Sequence, residues 1–245
     1  MPKASPLFTY YNFIKHRLRS RKLSVEDLTS KSYSPSFHDL QGYPDLEDRR
    51  HQLRNLSDHD NPYKMAASKI RRLSSSSPSR STFARFLTEL ITISGSQCVL
   101  ETGTSVGLTT AYLARSRARV ISIEKNEHLL EVARDTCKGL ASIEFVQGDV
   151  NDKFEELLSS HNPDFVFLDA DHRSEVVISQ VDKLLALPSP PKVIILHDIY
   201  WSKDMQDAWQ HLISLERIRL AVDLFEAGIL LPGSTHRTKI MTRYL

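Results

Sequence analysis

Val99-Leu100-Glu101-Thr102-Gly103-Thr104-Ser105-Val106-Gly107-Leu108 decides the fold. A short apolar run (Cys98, Val99, Leu100) ends in an acid, two glycines follow, and a helical pattern runs from Val106 through Leu113. The order is strand, tight turn, helix N-terminus. Glycine admits backbone conformations closed to other residues and lets a ligand come close. The N–H groups of the new helix, lacking intrahelical partners, then face that ligand. A dinucleotide would want G-x-G-x-x-G for its pyrophosphate. Here Ser105 takes the second glycine place and Leu108 the third. A carboxylate at Glu101 would repel a diphosphate and suits a cofactor with a cationic amine.

The pattern repeats outward. Arg119–Ile123 is a β-branched run ending at Glu124, about 20 residues past the first Gly, where an acid can accept from both hydroxyls of a ribose. A helical stretch from Glu127 to Lys138 leads to a third strand, Ile143–Val146, which runs into Gly148-Asp149-Val150. Pro163–Leu168 is a fourth strand ending at Asp169, and Lys192–Leu196 a fifth ending at His197-Asp198. Arg219–Phe225 and Gly228–Leu231 read as the final two. Four acids (Glu101, Glu124, Asp149, Asp169) thus follow strands in order, where an open parallel sheet binds ligands. Alternating strands and helices over about 80–245 predict an α/β, Rossmann-like doubly wound sheet.

Glu101–Gly107 resembles motif I of the class I S-adenosylmethionine-dependent methyltransferases, in the form found in catechol and caffeoyl-CoA type O-methyltransferases. Asp198–Trp209 resembles the segment after strand five in a poorly characterised group of bacterial methyltransferases, and Ser34–Phe37 is faintly similar to it. The resemblance implies a mostly parallel sheet with an antiparallel last strand, and S-adenosyl-L-methionine as cofactor. The cofactor residues it implies are Glu101, Gly103, Thr104, Ser105, Gly107, Glu124, Lys125, Gly148, Asp149, Val150 and Asp169. Asp149 would accept from the adenine amine, and the Val150 N–H would cap a ring nitrogen. The expected activity is methylation of a small-molecule acceptor, at oxygen.

Two chemistries compete for the acceptor's proton. In the first, His197 or His172 accepts it, oriented by Asp198 or Asp171, because an imidazole titrates near neutral pH. In the second, Asp169 and Asp198 resemble metal carboxylates of catechol-type enzymes, holding a divalent ion such as magnesium that lowers the acceptor's pKa. The third ligand of that family is an Asn, and Ile199 stands in its place, so the metal set is incomplete. Tyr200 and Trp201 either stack on an aromatic acceptor or close the core over strand five. Trp209 is expected to pack on a helix face. The rival functions are an NAD(P)-dependent oxidoreductase and a non-catalytic cofactor-binding protein acting through its basic N-terminal segment.

Composition bounds the rest. The 245 residues contain 40% hydrophobic side chains and two cysteines, and no apolar run approaches a membrane span. With no signal-peptide pattern, a cytoplasmic setting is expected. The net charge of +2 hides an asymmetry: residues 1–85 hold 16 Lys and Arg against 8 Asp and Glu. No nucleic-acid recognition motif accompanies that charge, so a nucleic-acid partner is not expected. The expected division is a basic, helical and loop extension over 1–80 and a cofactor-binding domain over 81–245. In the extension, Leu7 to Leu23 reads as an amphipathic helix that would dock on the main domain or form a homodimer. A short helix is expected around Asp45–Leu56, a loop over Ser74–Ser79, and a helix from Thr82 to Ile93.

Overall fold

A computed structural model describes residues 21–22, 41–76, 81–234 and 240–244. The chain forms two compact units, one over 40–153 and the other comprising 154–245 with 1–39.

The unit over 40–153 is built on three parallel strands. Strand β1, Arg21–Lys22, belongs to the other unit; β2 is Cys98–Thr102, β3 is Arg119–Glu124 and β4 is Ile143–Gln147. Leu100 pairs with Ile121 and Ile121 with Glu144, so the ends of β2 and β3 stand side by side. Val99, Leu100, Val120 and Ile121 are buried because this sheet is covered by helices. Those helices are α1 (Pro44–Arg54), α2 (Ala67–Ser76), α3 (Ser81–Ser94), α4 (Leu108–Ala114) and α5 (Glu127–Thr136). Helix α3 buries Phe83, Phe86, Leu87 and Leu90, the face its spacing predicts. Buried Thr88 donates its hydroxyl to the Tyr112 carbonyl at 2.8 Å, locking α3 to α4. Tyr112 in turn donates to Glu47 at 2.6 Å and accepts from the Tyr43 N–H at 3.2 Å. Leu46 of α1 packs with Ala84, Ala111, Tyr112 and Cys137. Leu53, Met65 and Ile70 join Val106, Leu108, Leu129 and Val132 in a second cluster.

The other unit holds β5 (Phe165–Leu168), parallel to β6 (Val193–His197). Strand β7 is Leu220–Asp223, and β8 (Ala227–Leu231) runs antiparallel to both β6 and β7. Strand β9 (Ile240–Tyr244) is parallel to β7 and pairs on its other side with β1. Among the described residues, three helices accompany these strands: α6 (Val150–His161), whose first turn belongs to the unit above, α7 (Ser174–Ala186) and α8 (Lys203–Ser214). Trp209 of α8 is 1% exposed and lies against Gly228, where an added Cβ would stand 2.5 Å from the indole. The whole is Rossmann-like α/β, mostly parallel, with β8 as its antiparallel strand.

Three expectations are corrected. Arg21 and Lys22 are extended, so a helix over 7–23 cannot run through them; they pair with Arg243 and Tyr244, and they carry none of the apolar stripe that suggested a helix. The rest of that stretch lies outside the described residues. Helix α2 continues through Ser76 where a loop is expected; in it the Ser74 and Ser75 hydroxyls, which would otherwise compete for backbone groups in a loop, are taken up by the Arg71 carbonyl at 3.0 and 2.7 Å. Strand β9 has no counterpart in the sequence reading.

Candidate active site

The glycine-bearing turn after β2 is the candidate site of the 40–153 unit. Gly103 and Thr104 donate their N–H groups to the Ile123 carbonyl at 2.9 and 3.2 Å, fastening the turn to β3. Ser105 sits at φ 53° and Gly107 at φ 79°, both in the left-handed region. At Gly107 two demands coincide, since an added Cβ would also meet Ala133 Cα at 2.7 Å. Glycine is therefore required for α4 to start here against α5.

Glu124 spans this corner. Its Oε2 accepts the Ser105 N–H at 2.9 Å and its Oε1 the Asn126 N–H at 2.9 Å. The half-buried carboxylate thus fixes the turn, and its remaining lone pairs are available to a diol. Asp149 follows β4. Its Oδ1 accepts the Asn151 N–H at 3.0 Å, and its Oδ2 pairs with Lys125 Nζ at 2.8 Å. The hydrogen bond from Lys125 holds this carboxyl below the usual carboxylate range, and Lys125 is raised in return. Gly148 donates its N–H to the Glu124 carbonyl at 3.0 Å, and Val150 opens α6.

Glu101 is placed differently from the role its position suggests. Its side chain is fully buried, and its Oε2 accepts from Thr110 Oγ1 at 2.5 Å and Ser122 Oγ at 2.6 Å. Ser122 Oγ lies 2.6 Å from Thr104 Oγ1, which carries the network into the turn. Glu101 thus lies buried beneath the turn, with Oε2 held by two hydroxyls. Thr110 and Ser122 are partners that strand and turn patterns do not disclose. Thr110 is one helical stretch further on, and Ser122 lies on the neighbouring strand in register with Glu101.

A separate cluster of titratable side chains lies in residues 154–245. His197, at the end of β6, is 4% exposed. Its Nδ1 stands 3.1 Å from Asp169 Oδ1 and 3.5 Å from Asp198 Oδ2. Burial depresses an imidazolium, but the Asp169 and Asp198 carboxylates outweigh it and push this histidine up to about 10. The two flanking carboxylates thus favour the protonated imidazole. His172 Nε2 lies 4.0 Å from Asp198 Oδ2, and its ring is 5.4 Å from that of Trp201. Asp171 is engaged elsewhere: both of its oxygens accept from Arg173, at 2.6–3.1 Å. Asp198 adopts φ 56°, an uncommon conformation for a non-glycine residue, and donates its N–H to the Glu226 carbonyl at 2.7 Å. Tyr200 stacks on Phe225 with ring centroids 5.1 Å apart and donates to Asp223 at 2.8 Å.

This donor set fits a hard divalent cation poorly. Asp169 and Asp198 already face the imidazolium of His197, and Ile199 is fully buried and apolar. Among the described residues, no three His, Cys, Asp or Glu side chains converge as metal ligands.

Comparison with known proteins agrees with the architecture. Residues 100–199 match the family model described as a methyltransferase domain. The chain is similar to the O-methyltransferase from Bacillus cereus in complex with SAH, at 21% identity and TM-score 0.55, covering 78% of this chain and 92% of that one. It is similar to the SAH-bound methyltransferase PaMTH1 of Podospora anserina, at 12% identity and TM-score 0.60, covering 94% and 97%. It also resembles the O-methyltransferase TomG of Streptomyces achromogenes, involved in tomaymycin synthesis and in complex with SAM, at 17% identity and TM-score 0.54, covering 79% and 92%. No curated protein matches the chain in sequence. Residues 100–199 thus match a methyltransferase-domain model, and the chain shares the fold of these methyltransferases.

Proposed function

We propose that this protein transfers the methyl group of S-adenosyl-L-methionine to an oxygen of a small-molecule acceptor. The observation that carries the reading is the corner of the 40–153 unit, where the Gly103–Gly107 turn is tied by the Ser105 N–H to Glu124 and where Asp149 follows the next strand. When bound, S-adenosyl-L-methionine would supply a methyl on a sulfonium: as the bond to the acceptor oxygen forms, the sulfur–carbon bond breaks and S-adenosylhomocysteine leaves. Glu124 accepts from the ribose hydroxyls and Asp149 from the adenine amine, with the Val150 N–H beside it. Gly103, Thr104 and Ser105 present backbone to the cofactor. Glu101 acts from beneath as a fixed negative charge that favours the cofactor's ammonium. In residues 154–245, His172 would take the acceptor's proton, with the Asp198 carboxylate 4.0 Å from its ring as the nearby charge. His197 keeps Asp169 and Asp198 in place as their counterion. We read the reaction as independent of metal on the donor chemistry described above.

Residues 81–245 are proposed as the cofactor-binding domain and 1–80 as its basic extension. Among the described residues no helix is long and apolar enough to cross a membrane. The two free cysteines suit a cytoplasmic setting.

The test is calorimetric titration with S-adenosylhomocysteine, followed by a labelled-methyl assay on an extract of source cells with and without chelator. Binding is expected in the wild type and a loss of at least tenfold in affinity in Glu124→Ala, with label appearing in a small molecule despite the chelator. A folded sample giving no heat with S-adenosylhomocysteine refutes the cofactor. Binding with no transfer to any acceptor favours a non-catalytic role. A signal abolished by chelator overturns the metal-free reading.

A further inference from the structure

Helix α4 begins at the glycine turn and ends at Arg115, and a separate cavity of about 370 Å³ opens at that far end. Seven helical residues, about 10 Å of rise, separate the two ends. Asp45, Arg49 and Gln52 of α1, Arg115, and Thr136 and Lys138 at the end of α5 line it. All of these residues lie in the 40–153 unit. The lining places three cationic side chains against one carboxylate.

The cations are only partly satisfied. Arg49 Nη2 donates to Tyr63 at 2.8 Å and to Asp135 at 2.7 Å, and Arg115 pairs with Asp45. The Nε of Arg49, the Nε of Arg115 and the Oγ1 of Thr136 are all buried without a hydrogen-bond partner. Thr136 is 7% exposed. Buried polar atoms are nearly always bonded, and these three exceptions all belong to residues that line this cavity. The carboxyl ends of α4 and α5 gather cations of their own accord. That attraction accounts for positive charge here, but it leaves these three donors without an acceptor.

We propose that this cavity is a binding site for a phosphate group, free or as the head of a phosphomonoester. Arginine edges offer the parallel N–H pairs that suit a tetrahedral oxyanion. Lys138 adds a mobile point charge, and the Thr136 hydroxyl donates from the wall. The cavity lining is polar, which fits a hydrophilic anion and not an apolar ligand. Asp45 competes for Arg115, so a phosphate entering the cavity takes over that arginine as Asp45 turns into solvent, where it is already 61% exposed. The inference does not depend on methyl transfer.

The experiment is calorimetry on the full chain with inorganic phosphate, and separately with glycerol 3-phosphate, at ionic strength held constant with chloride. Wild type is expected to bind phosphate at millimolar or tighter Kd. The double variant R115Q/K138Q should bind at least tenfold more weakly. Asp45→Asn should bind several-fold more tightly, because the competing carboxylate is gone; a merely structural role for Arg115 does not predict that gain. Should the double variant fail to fold, Lys138→Gln alone, at an exposed side chain, is expected to weaken binding about threefold. Tighter binding of the ester assigns the site to a phosphomonoester, and equal binding assigns it to the free ion. No phosphate heat above the chloride control overturns the proposal, as does unchanged affinity in Asp45→Asn or in the double variant.

Discussion

Replacing His197 by Gln tests the buried charge cluster directly. The wild-type imidazolium is stabilised by Asp169 and Asp198 from an ordinary value of 6.5 up to about 10. Each pH unit across that window is worth about 1.4 kcal/mol of folding free energy. A group raised on folding contributes fully below its unfolded value and loses that contribution as pH climbs through its folded value. The contribution is therefore about 5 kcal/mol at pH 6, about 3 kcal/mol at pH 8, and near zero at pH 10. The first of these is an upper bound, since solvent and side chains relax around a broken pair; removal of one partner from a buried ion pair typically costs 3–5 kcal/mol. His197→Gln should thus lower stability by about 3–5 kcal/mol at pH 6, roughly 10 °C in Tm for a chain of this size. The gap to wild type should narrow steadily to pH 10. Urea unfolding midpoints measured at half-unit steps from pH 6 to pH 10 give both curves. A gap that is flat or that widens with pH would falsify the charged-histidine assignment.

Two further perturbations probe the scaffold. Ser122→Ala removes one of the hydroxyls that solvate the buried Glu101 carboxylate, and should cost about 2 kcal/mol, read as a shift in urea midpoint; an unchanged midpoint would mean that Glu101 finds its solvation elsewhere. Gly228→Ala drives a methyl into the Trp209 indole and should cost about 1–3 kcal/mol with altered tryptophan fluorescence, so a variant as stable as wild type would show that α8 can shift freely.

The strands of the sheet were legible because buried parallel strands are written as short apolar runs with little else in them. Cys98–Thr102, Arg119–Glu124 and Val193–His197 stand where those runs predict. Helix α1, expected around Asp45–Leu56, forms at Pro44–Arg54 because Pro44 starts it and Leu46 and Leu53 face inward. The polar details were not legible. Glu101 reads as a ligand-facing acid by its place after β2, and only the register of β2 on β3 reveals that Ser122 stands beside it. His197 reads as a base by residue type, and the approach of Asp169, 28 positions earlier, is not visible in the sequence. Arg173 captures Asp171 through a two-residue loop contact that spacing alone does not distinguish from a catalytic dyad. Strand β9 was missed because Ile240–Tyr244 is a mixed segment, and its partner β7 supplies the order.

The bond from Tyr112 to Glu47 bears on how this chain can be shortened. Tyr112 lies on the helix that grows out of the glycine turn, so α1 is bolted to the same rod that shapes the cofactor corner. A truncation starting at residue 81 would strip Leu46, Leu53, Met65 and Ile70 from their neighbours and leave a greasy scar beside that rod. Anyone trimming this protein for expression should keep everything from Tyr43 on, because from there the chain is part of the fold's wall, and a cut there also removes β1 from its pairing with β9.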